Sequence, residues 1–237
     1  MTSASLVGGT GLVGSYILST LLNTPAISSV TAYSRRPIPA PEASPRLNPI
    51  IDSDSSAWAT QISSLKIEEA PQIFFSALGT TKAKAGGLGN QRKIDFDLNL
   101  LLAKAAKDAG IKTYVLISGG LGGGGGTNSS NAFVRLKAEL EVAVKELNFD
   151  HTVIIKPGLI VGDRGESRPI EAVFRGAAKL LGAISGGILK NAWAEDAEVI
   201  ARAAVKAGLK ASEARELEVK VWEVEQREIL TLGQSEP

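Results

Sequence analysis

The residues whose types and spacing suggest chemistry lie first in a glycine run, VGGTGLVG at Val7 to Gly14. Gly8, Gly9, Gly11 and Gly14 satisfy both G-x-G-x-x-G and G-x-x-G-x-x-G, directly between an apolar stretch and a helical pattern. Such glycines allow a tight turn, close backbone approach to a pyrophosphate and close packing of helix on strand. The anion then rests on the free N–H groups of the helix N-terminus. The loop from Gly8 through Thr10, Gly11, Leu12 and Val13 to Gly14 is therefore a candidate dinucleotide cradle. A plain strand-to-helix turn is the alternative.

The next strand ends in AYSRRP, and no acidic residue precedes Glu42. An NAD site uses a carboxylate here to accept from the ribose hydroxyls, whereas an NADP site uses a cation for the 2′-phosphate. Ser34, Arg35 and Arg36 thus suggest a phosphate site, because guanidinium pairs with phosphate through charge-assisted hydrogen bonds. An exposed basic turn is the competing reading. Asp52, after the third strand, is placed to accept from an adenine amino group, although DSDS reads equally as a helix cap. A second glycine run, SGGLGGGGGT at Ser118 to Thr127, has a strand before it and a helix after it but no P-loop lysine. Ordering Gly122 to Gly126 is entropically costly, which predicts a mobile loop there.

Elements able to position these residues follow from hydrophobic periodicity. Strands are expected at Ser3–Val7, Ser29–Tyr33, Leu47–Ile51, Gln72–Ala77, Lys112–Ser118 and His151–Lys156. Helices are expected at Leu12–Leu22, Ser56–Leu65, Arg92–Ala109, Asn131–Leu147 and Glu195–Ala207, with an edge strand at Leu217–Val224. This alternation predicts an α/β fold, a Rossmann-type doubly wound parallel sheet with helices on both faces. A single domain is expected over 1–237, with 160–192 and 209–237 as a small substrate-side and C-terminal extension. Ligands in such sheets lie outside the carboxyl ends of the strands, so Ala77, Leu78 and Gly79 after the fourth strand join the candidate site.

Composition narrows the function classes. The chain has 237 residues, net charge +1, no cysteine and one histidine. Thiolate catalysis, disulfides and multi-histidine metal sites are excluded, and a nucleic-acid protein driven by bulk electrostatics is disfavoured. No apolar stretch reaches bilayer-spanning length. MTSASLVGGTG lacks the features of a signal or transit peptide, so neither is expected.

The sequence resembles the atypical short-chain dehydrogenase/reductases, most closely the fungal proteins described as found in the mitochondrial proteome, relatives of the mammalian Tat-interacting protein. LVGGTGLVGSYIL, SRRP, FFSALGTTKAKAG, QRKIDFDLNLLLAKAAKDAGIKTYVLIS, KPGLIVGDR and VKVWEVE carry the resemblance. It implies a Rossmann fold, NADP(H) as cofactor and peripheral association with the mitochondrial outer membrane. It also implies a serine after the fifth strand and a Tyr-x-x-x-Lys on the next helix as the catalytic set. Ser118 and Lys137 match, but Phe133 stands at the tyrosine position, and no Tyr-x-x-x-Lys occurs in the chain. Pro157, Gly158 and Leu159 occupy the place where the family's backbone meets the nicotinamide carboxamide.

A phenyl ring keeps the shape of tyrosine without its proton, and positioned acid catalysis contributes about 10²- to 10⁴-fold. The expectation is an NADP(H)-binding protein with weak or no oxidoreductase activity, acting as a cofactor-dependent binding or sensing module. The alternatives are an active reductase of a small carbonyl compound with a substitute proton donor, namely Ser118, a loop serine or water, and a membrane-peripheral structural protein with a vestigial site. Lys137 shares an apolar stripe with Phe133, Leu140 and Val144, and it reads either as a cofactor ligand or as a snorkelling lysine. Asp95 and Asp97 read as helix-start carboxylates, and Lys82 and Lys84 read either as approaching the cofactor or, in preference, as parts of a solvated loop. His151 and the three tryptophans read as structural. Arg164, Arg168, Arg175 and Lys179 flank AVF and LLGAI, suggesting a weak membrane-facing patch or the basic side of a substrate-region helix.

Overall fold

The computed structural model describes residues 1–38, 44–65, 70–119, 126–161, 194–214 and 220–234. Its first half alternates strand and helix: β1 (Thr2–Val7), α1 (Leu12–Asn23), β2 (Ile27–Ser34), β3 (Leu47–Ile51), α2 (Ala57–Ser63) and β4 (Ile73–Ser76). Two short helices follow, α3 (Lys82–Ala85) and α4 (Leu88–Arg92), then a π-helical segment Lys93–Leu98 that runs into α5 (Asn99–Asp108). The chain continues through β5 (Thr113–Ile117), α6 (Ala132–Glu146), β6 (His151–Lys156) and β7 (Leu159–Val161). It ends with β8 (Ala194–Asp196), α7 (Ala197–Glu213), β9 (Val221–Glu225) and α8 (Gln226–Gln234).

Seven strands form one sheet in the order β3-β2-β1-β4-β5-β6-β9, and every pairing in it is parallel. This is the doubly wound arrangement that the alternating pattern predicts. The order reverses at β1 and β4, and the switch point opens a crevice at their carboxyl ends.

Side-chain alternation along each strand feeds two apolar layers. Ala4, Leu6, Phe75, Val115 and Ile117 face one side, packed against Ile17 and Leu21 of α1, Ile200 and Val205 of α7 and Ile229 of α8. Val7, Phe74, Tyr114 and Leu116 face the other, against Trp58 of α2, Leu102 and Ala106 of α5 and Leu140 and Val144 of α6. Phe74, Tyr114 and Phe149 stack in succession there, with centroids 5.5 and 5.0 Å apart. Burial on both faces explains why the central strands read as continuous apolar runs.

Three elements differ from the periodicity. The helix expected from Arg92 begins with a π-helical turn, the helix expected to end at Ala207 continues to Glu213, and α8 follows an edge strand at Val221–Glu225, residues 215–219 lying outside the described residues. The two-stranded β7-β8 ladder is too short to leave a periodic signal. Gly122 to Gly125, Arg164, Arg168, Arg175 and Lys179, with the expectations placed on them, lie outside the described residues. Gly126 opens a short 3₁₀ turn through Asn128.

Candidate functional site

At the switch point lies a cleft of about 590 Å³. Its floor is the β1–α1 loop. Gly8 has φ +82°, and a Cβ there would lie 2.5 Å from the Ala77 carbonyl oxygen. Glycine thus lets the β1 loop touch the β4 loop. Gly11 donates its N–H to the Gly8 carbonyl at 2.8 Å and stands at the N-cap of α1 without a capping side chain. No acidic residue occupies the first turn of α1. Thr10, Gly11, Leu12 and Val13 line the cleft, whereas Gly8 and Gly14 shape the turn from behind it.

Arg36 reaches the cleft from the end of β2, and Arg35 is exposed outside its lining. Ser34 is buried, and its hydroxyl donates to the Arg36 carbonyl at 2.6 Å, so it shapes the arginine turn. Asp52 is engaged in its own loop: its carboxylate accepts from the Asp54 N–H at 2.9 Å and from Gln61 at 3.3 Å. It does not line the cleft, and its bonds are those of a turn leading into α2.

The β4 loop contributes Ala77, Leu78, Gly79, Thr80 and Thr81, and α3 contributes Lys84. Lys84 is exposed and also lines the cleft, as the cofactor-approach alternative expects. Asp95 differs from its sequence reading. The π-helical segment places it fully buried against the cleft, where it accepts from the Thr80 N–H at 2.7 Å and from Gln91 at 3.2 Å. Asn99 supports this turn by donating to the carbonyls of Ile94 and Asp95 while accepting from Ser76. π-helical turns recur at functional sites because the extra residue redirects a side chain.

The far wall holds Ile117, Ser118, Phe133, Lys137 and Ile160. The Phe133 ring lies over Gly119, whose added Cβ would be 3.6 Å from Cε1. Asn131 caps α6 by accepting from the Phe133 and Val134 N–H groups, which fixes where that ring begins its course. Lys137, one turn on, is 5% exposed and makes no hydrogen bond among the described residues. Burial lowers its pKa, and the nearby Asp95 and Glu141 carboxylates oppose that shift. Burial raises the pKa of Asp95, against Lys137, the Thr80 N–H and Gln91. Both shifts have one cause: this wall disfavours unpaired charge.

Ser118 donates its hydroxyl hydrogen to Glu141 Oε1 at 2.5 Å. Glu141 is buried, and its other oxygen receives Lys156 Nζ at 3.1 Å. Lys156 and Lys145 both pair with Glu223 on β9, extending the charged chain from the cleft to the sheet edge. Burial works against the Lys156 cation, but its bonds to Glu223 and Glu141 prevail and raise its pKa. Glu141 was missed in the sequence, although it lies one helical turn beyond Lys137 on α6. Pro157 and Gly158 follow β6 without lining the cleft, and Ile160 of the same segment does line it.

A family model described as "NAD dependent epimerase/dehydratase family" matches residues 4–178. The chain is 52% identical over 213 residues to "Protein fmp52, mitochondrial" of Aspergillus fumigatus, covering 89% of this chain and 88% of that protein. It is 44% identical over 238 residues to "Protein fmp-52, mitochondrial" of Neurospora crassa, covering 99% and 96%. Among solved structures it resembles Bordetella bronchiseptica WbmH, determined in complex with NAD+, with TM-score 0.64 and 18% identity over 87% of this chain and 72% of that one. MoeE5, solved with UDP-glucose and NAD, gives TM-score 0.62 and 15% identity over 98% and 80%. These structural likenesses establish a common fold.

Proposed function

Because the chain belongs to the NAD dependent epimerase/dehydratase family, we propose that its cleft binds NADP(H) and that the bound pair works as a binding or sensing module with weak or no oxidoreductase activity. The observation that carries this reading is the far wall: Phe133 stands one helical turn before a buried Lys137 that lacks a hydrogen-bond partner among the described residues. A buried ammonium without a hydrogen bond is costly even with the Asp95 and Glu141 carboxylates nearby, and a ribose diol would relieve it. The uncapped N-terminus of α1 suits a pyrophosphate, with Thr10, Gly11, Leu12 and Val13 beside it.

Arg36, with Arg35 adjacent, would hold a 2′-phosphate. Asp52 is occupied within its own loop and does not compete for the ribose. Ala77, Leu78 and Gly79 would pass along the nucleoside, and the backbone of Pro157, Gly158 and Leu159, beside Ile160 of the lining, would border the carboxamide. The bound cofactor supplies hydride chemistry. Phe133 supplies no proton, and Ser118 has committed its own to Glu141. A phenyl group at this position removes about 10²- to 10⁴-fold of rate.

Calorimetric titration with NADPH and NADH tests the cofactor assignment. NADPH should bind more tightly, and Arg36→Ala should weaken NADPH by about 10- to 100-fold, the worth of a charge-assisted contact, while leaving NADH unchanged. Equal affinity of the parent for both would overturn it. A panel of carbonyl substrates tests the catalytic assignment: the parent should be nearly inert and Phe133→Tyr should gain turnover, whereas robust parent turnover would refute it.

One observation favours an active reductase with a replacement donor. Asp95, whose burial moves it towards the protonated form, lines the same cleft. Under that reading Asp95→Asn abolishes parent turnover. No described helix is long and apolar enough to cross a membrane. We extend the relatives' mitochondrial location to this chain, as a peripheral protein of the outer membrane; protease-protected recovery from the matrix would contradict this.

A further inference from the structure

Resting on the cofactor reading above, we propose that the cleft takes as its second ligand an apolar molecule bearing a hydroxyl, recognised by Ser118 acting as a hydrogen-bond acceptor.

The hydrogen-bond inventory of the far wall leads there. A carboxylate can only accept, so the contact between Ser118 Oγ and Glu141 Oε1 uses the serine's single proton. Glu141 is held in place by Lys156 at 3.1 Å, and Lys156 is held in turn by Glu223, so the carboxylate cannot turn away without breaking an ion pair. The Ser118 N–H is also committed, to the Ile155 carbonyl at 2.9 Å. What Ser118 offers the cleft is therefore its lone pairs. Among the described residues of this wall, Phe133, Ile117 and Ile160 provide apolar contact, and the one donor, Lys137, is assigned above to the cofactor ribose.

A ketone or aldehyde oxygen at this spot would meet lone pairs with lone pairs. An alcohol would donate its O–H to Ser118 and lay its carbon body on Phe133 and the two isoleucines. The serine thus has the opposite polarity to one that orients a carbonyl by donating to it, and Phe133 offers no hydroxyl where the resemblance places a tyrosine. Replacement of the tyrosine and capture of the serine proton together select for the hydroxyl.

The probes are 1-phenylethanol and acetophenone, which share a shape and differ in hydrogen-bond polarity. Each is titrated into the full-length protein saturated with NADPH, and absorbance of the reduced nicotinamide reports any turnover. The alcohol should bind roughly three- to tenfold more tightly, the net worth of one hydrogen bond. Ser118→Ala should erase that preference, and Ser118→Thr, which keeps the hydroxyl, should restore it. Equal or tighter binding of acetophenone, a preference surviving Ser118→Ala, or no binding of either probe would each overturn the proposal. So would a loss of NADPH affinity in Ser118→Ala without added probe, since the acceptor would then serve the cofactor. The cofactor reading is judged separately by NADPH titration of the parent, so its failure and the failure of this inference are distinguishable.

Discussion

At the scale of single residues, Lys137 and Asp95 form a site whose unliganded state is electrostatically unfavourable. Burial lowers the pKa of Lys137, so below its unfolded value near 10.5 there is a window in which the native chain binds fewer protons than the unfolded chain. Stability therefore rises with pH through that window. Asp95 is shifted upward by burial, so just above 3.8 the native chain holds a proton that the unfolded chain has released, and stability falls as pH rises there. Lys137→Met should flatten the alkaline-side rise and stabilise the unliganded protein by on the order of 1 kcal/mol, because the lost cation was penalised more by burial than it was rewarded by Asp95 and Glu141. Urea midpoints measured across pH check this. The same variant should lose most of its NADPH affinity, and retention of full affinity would show that Lys137 is a packing residue. Asp95→Asn should remove the acid-side slope while still accepting from the Thr80 N–H.

At the scale of elements, the position of the cleft depends on two close approaches. The turn into α1 works only because Gly8 and Gly14 lack side chains: a Cβ on Gly14 would lie 2.0 Å from the Gly8 carbonyl oxygen, a backbone atom with no freedom to yield. Gly14→Ala should cost about 3 kcal/mol or more, at the upper end for overpacking, and should also displace the N–H groups at the head of α1. Thermal unfolding and NADPH titration together measure both effects. This turn was legible in the sequence because its requirement is local, glycines at fixed spacing between a strand and a helix. The parallel order was legible for a similar reason, since strands such as Ile73–Ser76, buried on both faces, have an apolar signature of their own. Asp95 and Glu141 were not legible, because what buries each is distant in sequence: the Thr80 amide and Lys137 for one, Ser118 and Lys156 for the other. A carboxylate near a helix start reads as solvent-facing until the π-helical turn that redirects it is seen.

At the scale of the whole molecule, the cleft draws on both halves of the sheet. Arg36 comes from β2 on one side of the switch point, while Ser118 and Lys137 come from β5 and α6 on the other, with the β1 and β4 loops between them. A dinucleotide spanning these elements would tie together segments whose apolar layers lie on opposite faces of the sheet. Binding to the native state alone should then stabilise the entire fold by mass action, about 2.7 kcal/mol at a hundredfold excess over Kd. Scanning calorimetry should show Tm climbing with NADPH concentration as one cooperative transition if the ligand, as proposed, contacts both halves. Arg36→Ala should move the NADPH response to higher concentration, and Lys137→Met should reduce it while beginning from a higher unliganded Tm. Two separate transitions, with only the earlier one responding to NADPH, would mean that the cofactor stabilises the β1–β4 half alone and that the wall containing Ser118, Phe133 and Lys137 is not part of its site.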